Sequence, residues 1–146
     1  MVKKIEYSWQ DFDKDVETII KYINKKSDEK SNKRKHIVTL YRGGLPLGVT
    51  LSNKCNSPLS IIDYQRLDGN SENPKPIFII NKIKDGDHIF LVDDIYDTGK
   101  SMNESYKFLS LKYPNSDIEG ITLVGSGNQF FYTTQHKEDW IKFPWE

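Results

Sequence analysis

Ile89-Phe90-Leu91-Val92-Asp93-Asp94-Ile95-Tyr96-Asp97-Thr98-Gly99-Lys100-Ser101 decides how this chain folds. Its apolar start, β-branched and aromatic, reads as a buried strand. The strand ends on two adjacent carboxylates, a third follows at Asp97, and Thr-Gly-Lys-Ser opens a helix over roughly 99–112. Such a handover puts acids and free backbone N–H groups at one edge of a sheet. The carboxylates suit hydroxyls or a hard metal ion, and the N–H groups suit a phosphate. In an open parallel sheet that edge is where ligands bind. Asp97 alone would read as a helix cap, but three acids within five residues strain that account. Lys100 opposes the helix dipole unless a phosphate sits there or its side chain reaches into solvent. Gly99-Lys100-Ser101 does not make a nucleoside-triphosphate loop, which needs a glycine where this chain has Asp94.

The flanking segments alternate between strand and helix. Ser8 can cap a helix whose Trp9, Phe12, Val16, Ile19, Ile20 and Ile23 share one face. Residues 27–35 are charge-dense and read as a solvated connector. His36–Tyr41 is a strand, Leu45–Lys54 a helix, Leu59–Tyr64 a strand, Pro76–Asn81 a short strand and Ile118–Val124 another. Between them, 65–75 is a long polar loop, the length expected of a functional or disordered segment. Arg66 and Lys75 are its candidate lid cations. Alternating strands and helices indicate an α/β fold with a central, mostly parallel sheet.

Arg42-Gly43-Gly44 comes directly after the first core strand, where glycines allow a ligand close to the backbone and arginine offers a fork of donors to phosphate oxygens. A plain tight turn with a surface arginine would look the same in isolation. Its position at the same sheet edge as the acidic loop favours a second anion site.

Composition bounds the rest. With 146 residues, a single domain over 1–146 is expected. Lys plus Arg and Asp plus Glu are 21 each, so the chain has no general attraction for nucleic acid and any anion site is local. A single cysteine, Cys55, excludes an intramolecular disulfide and suits a reducing cytoplasm. No apolar run is long enough to span a membrane, and the N-terminus does not look like a signal peptide. His36, His88 and His136 lack metal-ligand spacing.

Asp93-Asp94-Ile95-Tyr96-Asp97-Thr98-Gly99-Lys100-Ser101 resembles the signature of the type I phosphoribosyltransferase family: two acids, three variable residues, then Thr-Gly-x-Thr/Ser. Tyr41-Arg42-Gly43-Gly44-Leu45 is similar to the Ser-Arg-Gly-Gly-Leu loop of bacterial xanthine-guanine enzymes. Ser8-Trp9-Gln10-Asp11-Phe12 and the ending Asp139-Trp140-Ile141-Lys142-Phe143-Pro144-Trp145 resemble the same subgroup. The resemblance implies a small C-terminal hood, mainly 125–146, and transfer of the phosphoribosyl group of phosphoribosyl pyrophosphate (PRPP) to a 6-oxopurine. It implies that Asp93 and Asp94 hold the ribose hydroxyls directly or through Mg²⁺, and that Asp97 manages the proton of the base. Thr98, Gly99, Lys100 and Ser101 would cradle the 5′-phosphate, and Arg42, Gly43 and Gly44 the pyrophosphate. Trp140 would stack on the base and the Ile141 backbone face its polar edge. The purine enzymes also carry a lysine after the strand corresponding to Ile118–Val124. Ser126 stands closest to that position, with Asn128, Gln129 and Lys137 as candidate substitutes. Related enzymes are dimers or tetramers, so a homo-oligomer is expected.

Overall fold

The computed structural model describes residues 3–30, 33–63, 75–79, 82–135 and 139–146. Its elements run β1 (Lys4–Glu6), α1 (Trp9–Glu29), β2 (Lys35–Leu40), α2 (Leu45–Lys54), β3 (Leu59–Asp63), β4 (Lys75–Ile79), β5 (His88–Ile95), α3 (Lys100–Lys112), β6 (Asp117–Gly125), β7 (Phe131–Gln135) and β8 (Trp140–Lys142).

Six strands form one sheet in the order β4-β3-β2-β5-β6-β7. Five are parallel, and β4 closes one edge antiparallel to β3. Alternation along β5 builds the two halves of the core. Phe90 and Val92 join Ile37, Leu47, Leu51 and the buried face of α1, while Ile89 and Leu91 pack with Val38, Met102 and Leu109. Helices α1 and α2 therefore cover one face and α3 the other. Chain order reverses between β2 and β5, since β3 lies on one side of β2 and β5 on the other. Such a reversal leaves a crevice beyond the strand ends, between the loops that lead away to opposite faces.

α1 begins with a capping box: Asp11 N–H donates to Ser8 Oγ at 3.0 Å and Ser8 N–H to Asp11 Oδ2 at 2.9 Å. The helix extends to Glu29, through part of the expected connector. The approach to β2 is pinned by ion pairs, Lys33 to Asp117 at 2.8 Å and Arg34 to Asp87 at 2.7 Å. Beside the second pair, His36 Nε2 lies 2.7 Å from Ser60 Oγ, and His36, Ser60 and Asp87 are all buried.

Within the segment 125–146, Phe131–Gln135 extends the large sheet, in parallel register with β6. Trp140–Lys142 pairs with Lys4–Glu6 in a separate two-stranded sheet, so this strand is held by the other end of the chain. β7 is locked from the side: Tyr22 of α1 stacks on Phe131 at 4.1 Å and 7°, and Thr133 Oγ1 donates to Leu123 O at 2.7 Å. Among the described residues no helix is long and apolar enough to cross a membrane.

Candidate active site

β5 carries its acids to the crevice because the residues before them belong to the core; Ile89 to Val92 are wholly buried. Asp93 and Asp94 come next, half-buried, each braced by the N–H group of its successor. Asp94 N–H donates to Asp93 Oδ1 at 2.9 Å and Ile95 N–H to Asp94 Oδ1 at 2.7 Å. Burial and the neighbouring Asp94 charge push the Asp93 carboxyl well above the usual carboxylate range. Burial also raises Asp94, against the opposing pull of its hydrogen bonds with Asp93 and Ile95. Two adjacent desolvated acids that resist joint ionisation make a site that favours a cation.

The loop after β2 closes over this pair. The Tyr41–Arg42 peptide is cis. The Arg42 side chain is exposed, its Cζ 5.7 Å above the Tyr41 ring. Gly43 lies so near Asp94 that a Cβ there would come 2.8 Å from Asp94 Cγ, with Oδ2 nearer still. Gly44 is buried against Thr39 and Leu40 O and serves as N-cap of α2.

On the other side, α3 starts without a side-chain cap. Gly99 holds the N-cap with φ +83°, a left-handed conformation that suits glycine. The 3.4 Å contact from Lys100 N–H to Thr98 Oγ1 is the nearest substitute. Asp97 is thus not the cap of α3. A helix start left open toward a cavity is a site for a phosphate or other anion.

These pieces enclose a cavity of about 250 Å³. Arg42 and Gly43 line it from the β2 loop, Asp93 and Asp94 from the floor, and Asp97, Thr98, Gly99 and Ser101 from the α3 turn. Other expected residues fall elsewhere. Lys100 is exposed outside the lining. Trp140 is 61% exposed on β8, its N–H donating to Lys3 O at 2.9 Å. Ile141 lines a second cavity of about 380 Å³ with Tyr7, Asp15 and Gln135. Ser126 is half-buried and lines neither cavity; Asn128 and Gln129 are exposed. Lys75 is the first residue of β4, in register with Asp63. Arg66, the rest of the candidate lid through 74, Lys137 and His136 lie outside the described residues.

Two residues near the acids escaped the sequence. Tyr96 lines the cavity from one of the variable signature positions. Trp145 packs in an aromatic cluster, stacked on Phe143 at 4.9 Å and 12° and edge-on to Phe12 at 5.4 Å. Its Nε1 is buried and closes no hydrogen bond of good geometry, yet its N–H favours the ionised Asp94. Nothing in local spacing marks either residue; an aromatic side chain next to the acids is the one signal that could have singled out Tyr96.

A parallel sheet with acids and an open helix start at its switch point defines an α/β transferase of the type I phosphoribosyltransferase fold. A family model of the phosphoribosyl transferase domain matches residues 7–146, and the chain belongs to that family. It is a PRPP-dependent glycosyltransferase. A xanthine-guanine phosphoribosyltransferase of Idiomarina loihiensis is 26% identical over 120 residues, 77% of this chain and 71% of the relative. A purine phosphoribosyltransferase from Pyrococcus horikoshii Ot3 superposes with a TM-score of 0.77 at 26% identity, over 99% of this chain and 95% of that one. A xanthine-guanine-hypoxanthine phosphoribosyltransferase from Helicobacter pylori gives 0.75 over 99% and 93%; at 24% identity that likeness is one of fold.

Proposed function

We propose that the enzyme transfers the phosphoribosyl group of PRPP to a 6-oxopurine (guanine, xanthine or hypoxanthine), yielding a nucleoside 5′-monophosphate and pyrophosphate. The observation that carries this is the single cavity shared by the acid pair, Asp97 and the open start of α3. In this scheme the bond from the anomeric carbon to pyrophosphate breaks, a bond to a ring nitrogen of the base forms, and Asp97 takes the proton of that nitrogen. Asp93 and Asp94 hold the two ribose hydroxyls. Thr98 to Ser101, with Lys100 at the rim, hold the 5′-phosphate; Arg42, Gly43 and Gly44 hold the departing pyrophosphate. Trp140 stacks on the base and the Ile141 backbone meets its polar edge, while Ser126 stands closest to the position that reads the base's substituent.

Mg²⁺ fits these residues. Among the described residues no cluster of three metal-ligating side chains exists, but Mg²⁺ commonly takes one or two carboxylates and completes its shell with substrate oxygens and water. Asp93 and Asp94 supply such a pair at the strand end, both carboxyls raised by burial and Asp93 further by the neighbouring Asp94 charge. When bound, the ion neutralises charge on the leaving pyrophosphate. A cytoplasmic setting suits the free Cys55, whose pKa is pushed up by burial, which keeps the thiol unreactive.

Ser126 supports a second reading, transfer to a different nitrogenous base, because a short neutral hydroxyl cannot replace a lysine at an exocyclic oxygen. The test is pyrophosphate release from PRPP with Mg²⁺ against guanine, xanthine, hypoxanthine, adenine, uracil and orotate. Release stimulated by a 6-oxopurine supports the first reading, and stimulation by another base alone supports the second. Silence with all six, while PRPP still binds with Mg²⁺, would favour a PRPP-binding regulatory protein or a base outside the panel.

A further inference from the structure

Tyr96 lines the cavity beside the α3 turn and holds no role in the transfer scheme above. Its backbone is anchored, with Tyr96 N–H donating to Val124 O at 2.8 Å. Its ring meets Phe130 edge-on at 5.8 Å and folds back against the turn, so that a Cβ on Gly99 would run into the phenol hydroxyl. Asn103, one turn into α3, donates from Nδ2 to that hydroxyl at 3.1 Å, and its own N–H donates to Gly99 O at 2.8 Å. The phenol is therefore fixed in position relative to the helix start. In this orientation the Asn103 amide donates to the phenol and leaves its own Oδ1 buried without a partner, and no hydrogen bond from the phenol O–H is seen among the described residues. Tyr96 lines the same cavity as Thr98, Gly99 and Ser101, while its ring packs against the core between the sheet and α3.

We propose that Tyr96 is a direct ligand of the sugar phosphate, donating its phenol O–H to a phosphate oxygen seated on the α3 start, and that Asn103 is the residue that positions it. The proposal rests on the PRPP reading and adds to it a contact that the backbone turn does not supply. Tyr96 is a neutral donor, so it does not raise the charge beside Asp97. The hydrogen bond it accepts from Asn103 polarises its O–H and strengthens the donation. Its fixed geometry also lowers the entropy cost of the contact, since ring and hydroxyl are already in place before the ligand arrives.

The test is calorimetric titration of ribose 5-phosphate, PRPP with Mg²⁺, and pyrophosphate with Mg²⁺ into wild type, Tyr96→Phe, Asn103→Ala and the double variant. Tyr96→Phe keeps the ring and removes only the hydroxyl. Ribose 5-phosphate and PRPP affinities are expected to fall about tenfold, the loss of one hydrogen bond to a charged group. Pyrophosphate affinity should stay within about twofold. Asn103→Ala should weaken ribose 5-phosphate in the wild-type background and have no further effect once the hydroxyl is gone. Unchanged or tighter ribose 5-phosphate binding by Tyr96→Phe would overturn the proposal, as would fully additive losses in the double variant for the role of Asn103. Wild type that binds neither PRPP nor ribose 5-phosphate would overturn the enzyme reading itself, an outcome distinct from a silent Tyr96→Phe.

Discussion

Gly43→Ala tests whether the β2 loop and the acid pair work as one unit. Gly43 does not hold a left-handed φ, so alanine meets no backbone strain there, only the neighbour across the crevice. Its Cβ would stand 2.8 Å from Asp94 Cγ, roughly 1 Å inside ordinary carbon–carbon contact. One of two groups must yield. If Asp94 swings away, it gives up the 2.7 Å bond from Ile95 N–H and turns into the charge of Asp93. If the loop retreats, Arg42 leaves the cavity rim. Both move a reacting-site group by about 1 Å, and such a misplacement costs on the order of 100-fold in rate. The assay is initial-rate pyrophosphate release over a range of PRPP concentrations. We expect kcat/KM for PRPP to fall about 100-fold, with the KM for the base little changed and a stability loss of roughly 1–3 kcal/mol from overpacking. Gly44→Ala is the contrast, because its Cβ meets the backbone at Leu40 O (2.8 Å) and Asp93 Cα (3.0 Å) and should mainly destabilise the fold. A Gly43→Ala enzyme within about twofold of wild type would refute the coupling.

Asp97→Asn should cut kcat by about 10²–10⁴-fold with the PRPP KM nearly unchanged, as expected on losing a general base; unimpaired turnover would remove Asp97 from the chemistry. Trp140→Ala should raise the KM of the base severalfold through lost stacking and leave the melting temperature almost unmoved, because the residue is 61% exposed; a change confined to the KM of PRPP would refute the stacking role. Burial depresses His36 from 6.5 to about 4 despite the nearby Asp87 charge, so the fold keeps it neutral while the unfolded chain takes up a proton. Its contribution is complete above about pH 6.5 and is lost as the pH falls toward about 4. The raised carboxyls of Asp15, Asp93 and Asp94 act with the opposite sign, so the quantity to measure is the urea stability of wild type minus His36→Gln. That difference should shrink by roughly 2 kcal/mol between about pH 7 and pH 5; a difference independent of pH would contradict a buried neutral His36.

The parts of this protein legible in its sequence are those where local chemistry and burial agree. Ile89–Val92 has no residue that tolerates water, so it becomes a central strand, and the acids after it must emerge at its end. Leu45–Lys54 is helical where expected, since the glycines and Pro46 mark its start, and the Ser8 cap needs only three residues to form. The edge at which Arg42 and Asp94 meet could also be anticipated, because parallel strands place their following loops on one side. What only the tertiary structure decided are the long-range pairings and contacts. Lys4–Glu6 is too short and polar to signal a strand and exists because Trp140–Lys142 lies beside it. Phe131–Gln135 joins the large sheet because Tyr22, distant in sequence, stacks against it. The placement of Tyr96 over Gly99 and of the Trp145 N–H near Asp94 depends on side chains converging from separate elements. Periodicity along a chain encodes which face is buried; it carries no record of which distant residue fills the space opposite, and in this enzyme that second kind of information shapes the rim of the site.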